Sequence, residues 1–115
     1  MALTPRFYND KEAGEVQILE SENFSAWKDD VTIALGIIRG WDLVMGRSPE
    51  PANHTTTAHK EWVKLRTKAL KLLSSSVVTV HKPKILPFAQ QQDVTGMWNK
   101  LIELDLAADL VYVAN

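Results

Sequence analysis

The chain has 115 residues, enough for one domain that hides roughly 65% of the surface its unfolded form exposes. Apolar residues make up 45% and charged residues 23%, an ordinary globular mix, and a formal net charge of −1 gives no general attraction to nucleic acid or membrane. There is no cysteine, which excludes disulfides, thiolate metal sites and a cysteine nucleophile and suits a reducing, cytoplasmic setting.

Residues 1–22 are polar and acidic, with Pro5 and Gly14 as breakers. They read as an extended arm in which "VQILE" forms a short strand or packs loosely on the domain. The start has no apolar core of signal-peptide length. No apolar run approaches the roughly 20 residues that span a bilayer. The glycosylation sequons at Asn23 and Asn53 are therefore expected to stay idle. Phe24, Trp27, Val31, Ala34, Leu35 and Ile38 recur at spacings that predict a helix over 25–39. Ser25 is its expected N-cap, Asp29 and Asp30 lie near the favourable end of its dipole, and Gly40 is its expected stop. Trp41 to Met45 reads as a short helical turn closed by Gly46.

The stretch "GRSPEPANHTT" is a loop, with two prolines and a run of small polar residues. A helix over 57–75 follows, with Trp62, Leu65, Ala69, Leu72 and Leu73 on its apolar face. Pro83 and Pro87 then argue against a continuous helix, and Val77, Val78 and Val80 suit extended backbone. Residues 76–92 are long for a bundle connection, so a short helix or a hairpin is expected somewhere in them. The third main helix is predicted over 93–105, with Asp93 as N-cap and Val94, Met97, Trp98, Leu101 and Leu104 facing inward. Gly96 inside it costs about 1 kcal/mol relative to alanine. The apolar end, "LAADLVYVAN", either continues the helix or docks on the domain.

Few residues suggest chemistry. His54, His59 and His81 lack metal-ligand spacing, and no neighbouring carboxylate in sequence completes a set. Ser74, Ser75 and Ser76 have no nucleophile elbow and no nearby base. Asp29 and Asp30 point apart on a helix, unlike a glycosidase pair. No phosphate loop is present. The expectation is no catalytic site, no metal and no cofactor. Lys60, Lys64, Lys68 and Lys71 recur at four, four and three, which makes one basic stripe opposite the apolar face, opposed along this segment only by Glu61. The stripe is either an ordinary solvated face or a non-specific, salt-sensitive contact for RNA. No aromatic residues interleave with it, so base stacking is not suggested. Phe24, Trp27, Leu35, Trp41, Trp62, Leu65, Leu72, Trp98 and Leu101 are the candidate core, although one or two tryptophans could instead anchor a partner.

The order Asn23-Phe24-x-x-Trp27, Leu35, Trp41-x-x-Val44-x-Gly46, a proline loop, Trp62, then Asp93-Val94-x-x-Met97-Trp98-x-x-Leu101 resembles the Gag polypeptide of copia-type LTR retrotransposons. The resemblance covers about residues 18–105. It implies a capsid domain of the N-terminal kind, a small helical module that self-associates into virus-like particles around the element's RNA. In that case "NFSAWKDDVTIAL" is the first core helix and "GWDLVMG" the turn that folds back on it.

The chain departs from the family pattern in two respects. Asp105 stands where the family's late helix often carries an aromatic residue, and no cysteine is present to form a zinc knuckle. The expectation is an excised domain, a truncated element copy or a host-adopted fragment, one that could bind an intact Gag relative and hinder its assembly. The fold expected is a small all-α bundle of about four to six helices over 23–105, behind an arm at 1–22. A tail or linker to a second domain follows at 106–115. The competing functions are a host interaction module that binds a peptide between helices, and an RNA-binding domain using Lys60–Lys84.

Overall fold

The computed structural model describes residues 6–20 and 22–114, with side chains through Leu104. Where the sequence suggests an extended arm, a β-hairpin forms: β1 (Phe7–Asp10) pairs antiparallel with β2 (Gly14–Gln17), Phe7 opposite Gln17 and Asp10 opposite Gly14. Asp10 closes the turn, its Oδ2 accepting from the amides of Glu12 and Ala13 at 3.0 and 2.9 Å. Five α-helices follow: α1 (Phe24–Ile37), α2 (Trp41–Val44), α3 (Thr57–Ser75), α4 (Lys82–Gln90) and α5 (Val94–Ala114). A 3₁₀ turn at Thr79–His81 leads into α4. Among the described residues the fold is thus mostly helical with one small sheet, a correction to the all-α expectation.

The hairpin belongs to the domain because it supplies apolar side chains and shares hydrogen bonds with it. Val16 and Leu19 are buried with the helical core. Leu19 forms a parallel bridge with Val77, and the Leu19 amide donates to Ser76 O at 2.7 Å. Asp30 does not serve the dipole of α1; its Oδ2 accepts from the Gln17 amide at 3.0 Å. Asn23, rather than Ser25, precedes α1, and its side chain caps nothing in the helix. Instead it accepts from the Glu20 amide at 2.7 Å and donates to Ile18 O at 2.9 Å. The entry to α1 is therefore fastened to the strand before it.

α1 buries Trp27, Val31, Ala34 and Leu35, and α3 buries Ala69, Leu72 and Leu73. α5 covers both with Val94, Met97, Trp98 and Leu101, while α2 and α4 close the sides with Leu43, Val44 and Ile85. Each buried Val, Leu, Ile or Met among them contributes about 1.5–3 kcal/mol of transfer free energy. α3 keeps its predicted bounds, and Thr56 caps it through Oγ1, which accepts from the His59 amide at 3.2 Å. α5 extends past its predicted end to Ala114, so the tail continues the helix. α4 is a short helix of the kind expected within 76–92, and it contains both prolines that argued against a continuous one. Pro83 sits in the first turn, where the amide has no helical partner anyway, and Pro87 forfeits one bond in a short helix.

Three helices end in the same motif. After α1, α2 and α4 the residues in the left-handed region are Arg39 (φ 62°), Gly46 (φ 76°) and Gln92 (φ 56°). In each case the following amide reaches back five residues: Gly40 to Leu35 O, Arg47 to Asp42 O and Asp93 to Phe88 O, all at 2.8 Å. Gly40, expected as the stop of α1, is one residue beyond the strained position. Arg39→Gly should therefore stabilise the fold by about 0.5–1 kcal/mol in urea denaturation. It removes roughly 1–2 kcal/mol of left-handed strain and adds less than that in unfolded-chain freedom.

Asp93 caps α5 as predicted, accepting from the Gly96 amide at 2.9 Å. Gly96 turns out to be required by packing. A Cβ there would lie 2.6 Å from Phe88 Cδ1 and 2.8 Å from Asp93 Cγ. Gly96→Ala should destabilise the protein by about 1–2 kcal/mol despite better helix propensity, because overpacking costs more than propensity returns. Thermal and urea unfolding of the variant measure this.

Candidate functional site

Three of the four tryptophans meet. Trp27 is fully buried, stacks on Trp98 at 6.1 Å between ring centroids and lies 5.6 Å from Phe24. Trp41 meets Trp98 edge-on at 5.5 Å. Leu35, Leu72 and Leu101 are buried as expected, whereas Phe24, Trp41, Trp62 and Leu65 are partly buried at the margin of the core. Trp62 stands apart from the cluster and ties down the α2–α3 loop, its indole N–H donating to Ser48 O at 2.9 Å.

The outer side of the tryptophan cluster opens as an apolar groove of about 770 Å³ between α1, α2 and α5. Trp41, Met45, Trp98 and Ile102 form its floor and walls, and Ile33 stands on its rim with Lys28 and Asp29. Ile33 is 63% exposed, and Ile37 one turn further along α1 is 54% exposed. Spaced at i and i+4, they make an unpaired apolar stripe on the same helix that carries Trp27 inward. The sequence reading assigned α1 to the core and missed this second face. Its signal was present: Ile33 and Ile37 fall outside the spacing of the buried set.

The lysine stripe exists as predicted, with Lys60, Lys64, Lys68 and Lys71 all exposed on α3. Its electrostatics differ from the sequence reading. Besides the Lys64–Glu61 pair at 3.9 Å, the hairpin brings Glu12 into a salt bridge with Lys68. Asp10, Glu12, Lys68 and Lys71 line a shared depression with Tyr8, Asn9 and Lys11. Glu12 raises the Lys68 pKa through its hydrogen bond and charge, and Asp10 and Glu61 add to this. The stripe is thus partly neutralised by a segment distant in sequence, and one acidic residue no longer describes its opposition.

The loop also gathers residues that spacing kept apart. Glu50 Oε2 lies 2.8 Å from His59 Nε2 and 3.2 Å from His54 Nε2. The expectation that no carboxylate accompanies these histidines is corrected, because the loop curls Glu50 back onto the start of α3. The hydrogen bond from His59 holds the Glu50 carboxylate below its ordinary range, outweighing desolvation, with smaller help from the charges of His54, His59 and Arg66. His81 lies elsewhere, against Glu20 O at 3.4 Å. Among the described residues no helix is long and apolar enough to cross a membrane.

No family model, curated protein or solved structure matches the chain.

A carboxylate with a depressed folded pKa stabilises the fold above its unfolded pKa and loses that contribution as pH falls through the folded value. In metal-free buffer, wild type should therefore melt higher than Glu50→Gln at neutral pH. The gap should close as pH drops below the ordinary carboxylate pKa of about 4.3. Paired melts from pH 7 down to pH 3 check this.

Proposed function

We propose that this chain is a structural, self-associating domain of the kind found in the Gag polypeptide of copia-type LTR retrotransposons. It would work in the cytoplasm as one building block of a particle that encloses the element's RNA, with no catalytic role. The observation that carries the reading is the joint placement of Trp27, Trp41 and Trp98, three residues of the family-like motifs, in one cluster. Trp41 and Trp98 of that cluster line an apolar groove beside the exposed Ile33–Ile37 stripe, with Trp27 buried behind them. The same residues therefore build the core and support a surface suited to another copy.

Self-association through that surface follows simple physics. Exposed isoleucines gain about 25 cal/mol per Å² of apolar area when a second surface removes them from water. Lys28 and Asp29, adjacent at the groove, offer charges of both signs, which a self-complementary contact can pair across the two copies. RNA would be held by the unneutralised part of the α3 stripe, chiefly Lys60 and Lys71, and such binding would weaken steeply with salt.

A second reading rests on the same groove. Its apolar lining between helices would take the apolar face of an amphipathic helix of another protein, as in a host adaptor derived from Gag, or a segment of an intact Gag whose assembly this chain would then hinder.

Sedimentation velocity across a concentration series, with electron microscopy of the concentrated protein, separates the two. The first reading expects concentration-dependent oligomers that Ile33→Asp/Ile37→Asp reduces to monomer while helicity is retained. A wild-type protein that stays monomeric at every concentration would sink it and favour the adaptor reading.

A further inference from the structure

We propose that Glu50, His54 and His59 form a binding site for a divalent transition-metal ion of the zinc type, with Glu50 Oε2 and the two Nε2 atoms as ligands. The three ligand atoms lie within 4.8 Å of one another. The separations from Glu50 Oε2 to the two ring nitrogens are 2.8 and 3.2 Å. Zinc holds imidazole nitrogen at about 2.0–2.1 Å and carboxylate oxygen at about 2.0–2.2 Å, which sets tetrahedral neighbours roughly 3.3–3.4 Å apart. The two oxygen–nitrogen pairs need to spread by only a few tenths of an ångström to admit the ion, and the two nitrogens, within 4.8 Å of each other, settle around it. An Nε2 that carries a proton gives it to Nδ1 or to solvent, as metal ligation by neutral imidazole requires.

The site is built, because the backbone that carries it is tied at several points. Trp62 holds Ser48 O two residues before Glu50. Asn53 Oδ1 accepts from the amide and hydroxyl of Thr55 at 3.0 and 2.7 Å, which shapes the turn beside His54. Thr56 Oγ1 donates to Asn53 O at 3.0 Å and caps the His59 amide, so the cap of α3 also sets the approach of the loop. The rings of His54 and His59 stack at 4.3 Å with 22° between planes, and His59 stacks in turn near Trp62 at 6.4 Å. Both Nε2 atoms lie beside one carboxylate oxygen, and the exposed His54 ring has only to turn out of the stack to bring its in-plane lone pair onto the same ion.

The charges are mixed but permit a cation. Glu50 supplies the negative charge, and Arg66 is the opposing positive group, its guanidinium 4.8 Å from the Trp62 ring centroid. Two imidazoles with one carboxylate suit zinc, cobalt, nickel or copper and discriminate against magnesium and calcium, which prefer all-oxygen shells. Three protein ligands leave a fourth position for water. The bound ion would clip the α2–α3 loop to the first turn of α3, and it would raise the melting temperature because the unfolded chain lacks the arrangement.

The inference is independent of the proposed assembly role. Its test uses the full chain with any affinity tag removed, titrated with Zn²⁺ by calorimetry and with Co²⁺ by visible absorption, with Mg²⁺ for comparison. One Zn²⁺ per chain should bind and raise the melting temperature, Co²⁺ should give the intense bands of a near-tetrahedral site, and Mg²⁺ should do neither. His54→Ala and His59→Ala should each weaken binding by more than about 100-fold, beyond the roughly 10–100-fold typical of outer-shell changes, whereas His81→Ala should leave it unchanged. His54 is 65% exposed, so His54→Ala tests the site even if the less exposed His59 proves important for folding. No Zn²⁺ binding by wild type, or equal binding by a folded His54→Ala/His59→Ala double variant, would overturn the proposal.

Discussion

Trp27 must be buried whole, and an indole buried whole must find an acceptor for its N–H. It is fully buried, and its Nε1 donates to Ser76 Oγ at 3.1 Å. Ser76, itself fully buried at the end of α3, passes a hydrogen bond on to Leu73 O at 3.3 Å. The Ser76 carbonyl accepts the Leu19 amide, which starts the bridge that fastens the hairpin. Trp98 closes the other side by stacking on the same indole. One side chain thus fixes α1 against the end of α3, the hairpin exit and α5. A buried donor left without Ser76 would cost about 1–3 kcal/mol.

That arrangement also decides what remains outside. Once Trp27, Val31, Ala34 and Leu35 turn inward, Ile33 and Ile37 cannot follow, because side chains four apart share a face and these lie on another. Helix α1 therefore carries two apolar faces, one spent on the core and one unpaired. The groove beneath Trp41 and Trp98 has the same origin. α2 is a single short turn, too small to cover the outer side of the tryptophan cluster. The proposed assembly surface is in this sense a by-product of how the core is closed.

The hairpin and the α2–α3 loop show the opposite case, in which a polar segment changes the character of a helix. Glu12 offsets part of the lysine stripe from outside α3, and Glu50 brings a carboxylate to two histidines at its start. Both contacts depend on turns stabilised by short polar side chains, Asp10 in the hairpin and Asn53 in the loop. Exposed pairs of this kind add little stability by themselves. Their importance is in placing charge, and therefore in the binding chemistry of α3.

The sequence by itself determined the helices whose signals are local. The 3.6-residue period placed α1 and α3 to within a residue or two, Asp93 marked the start of α5, and Gly46 marked the end of α2. Each rests on contacts within a few residues, which a linear reading can follow. Tertiary structure alone decided the docked hairpin, the choice of a helix through Pro83 and Pro87 over a hairpin, the burial of Ser76, and the need for glycine at position 96. It also decided which charges face Lys68 and which carboxylate meets His54 and His59. These depend on partners brought together by the closing of the core or the folding of a loop, and neither local propensity nor spacing carries that information.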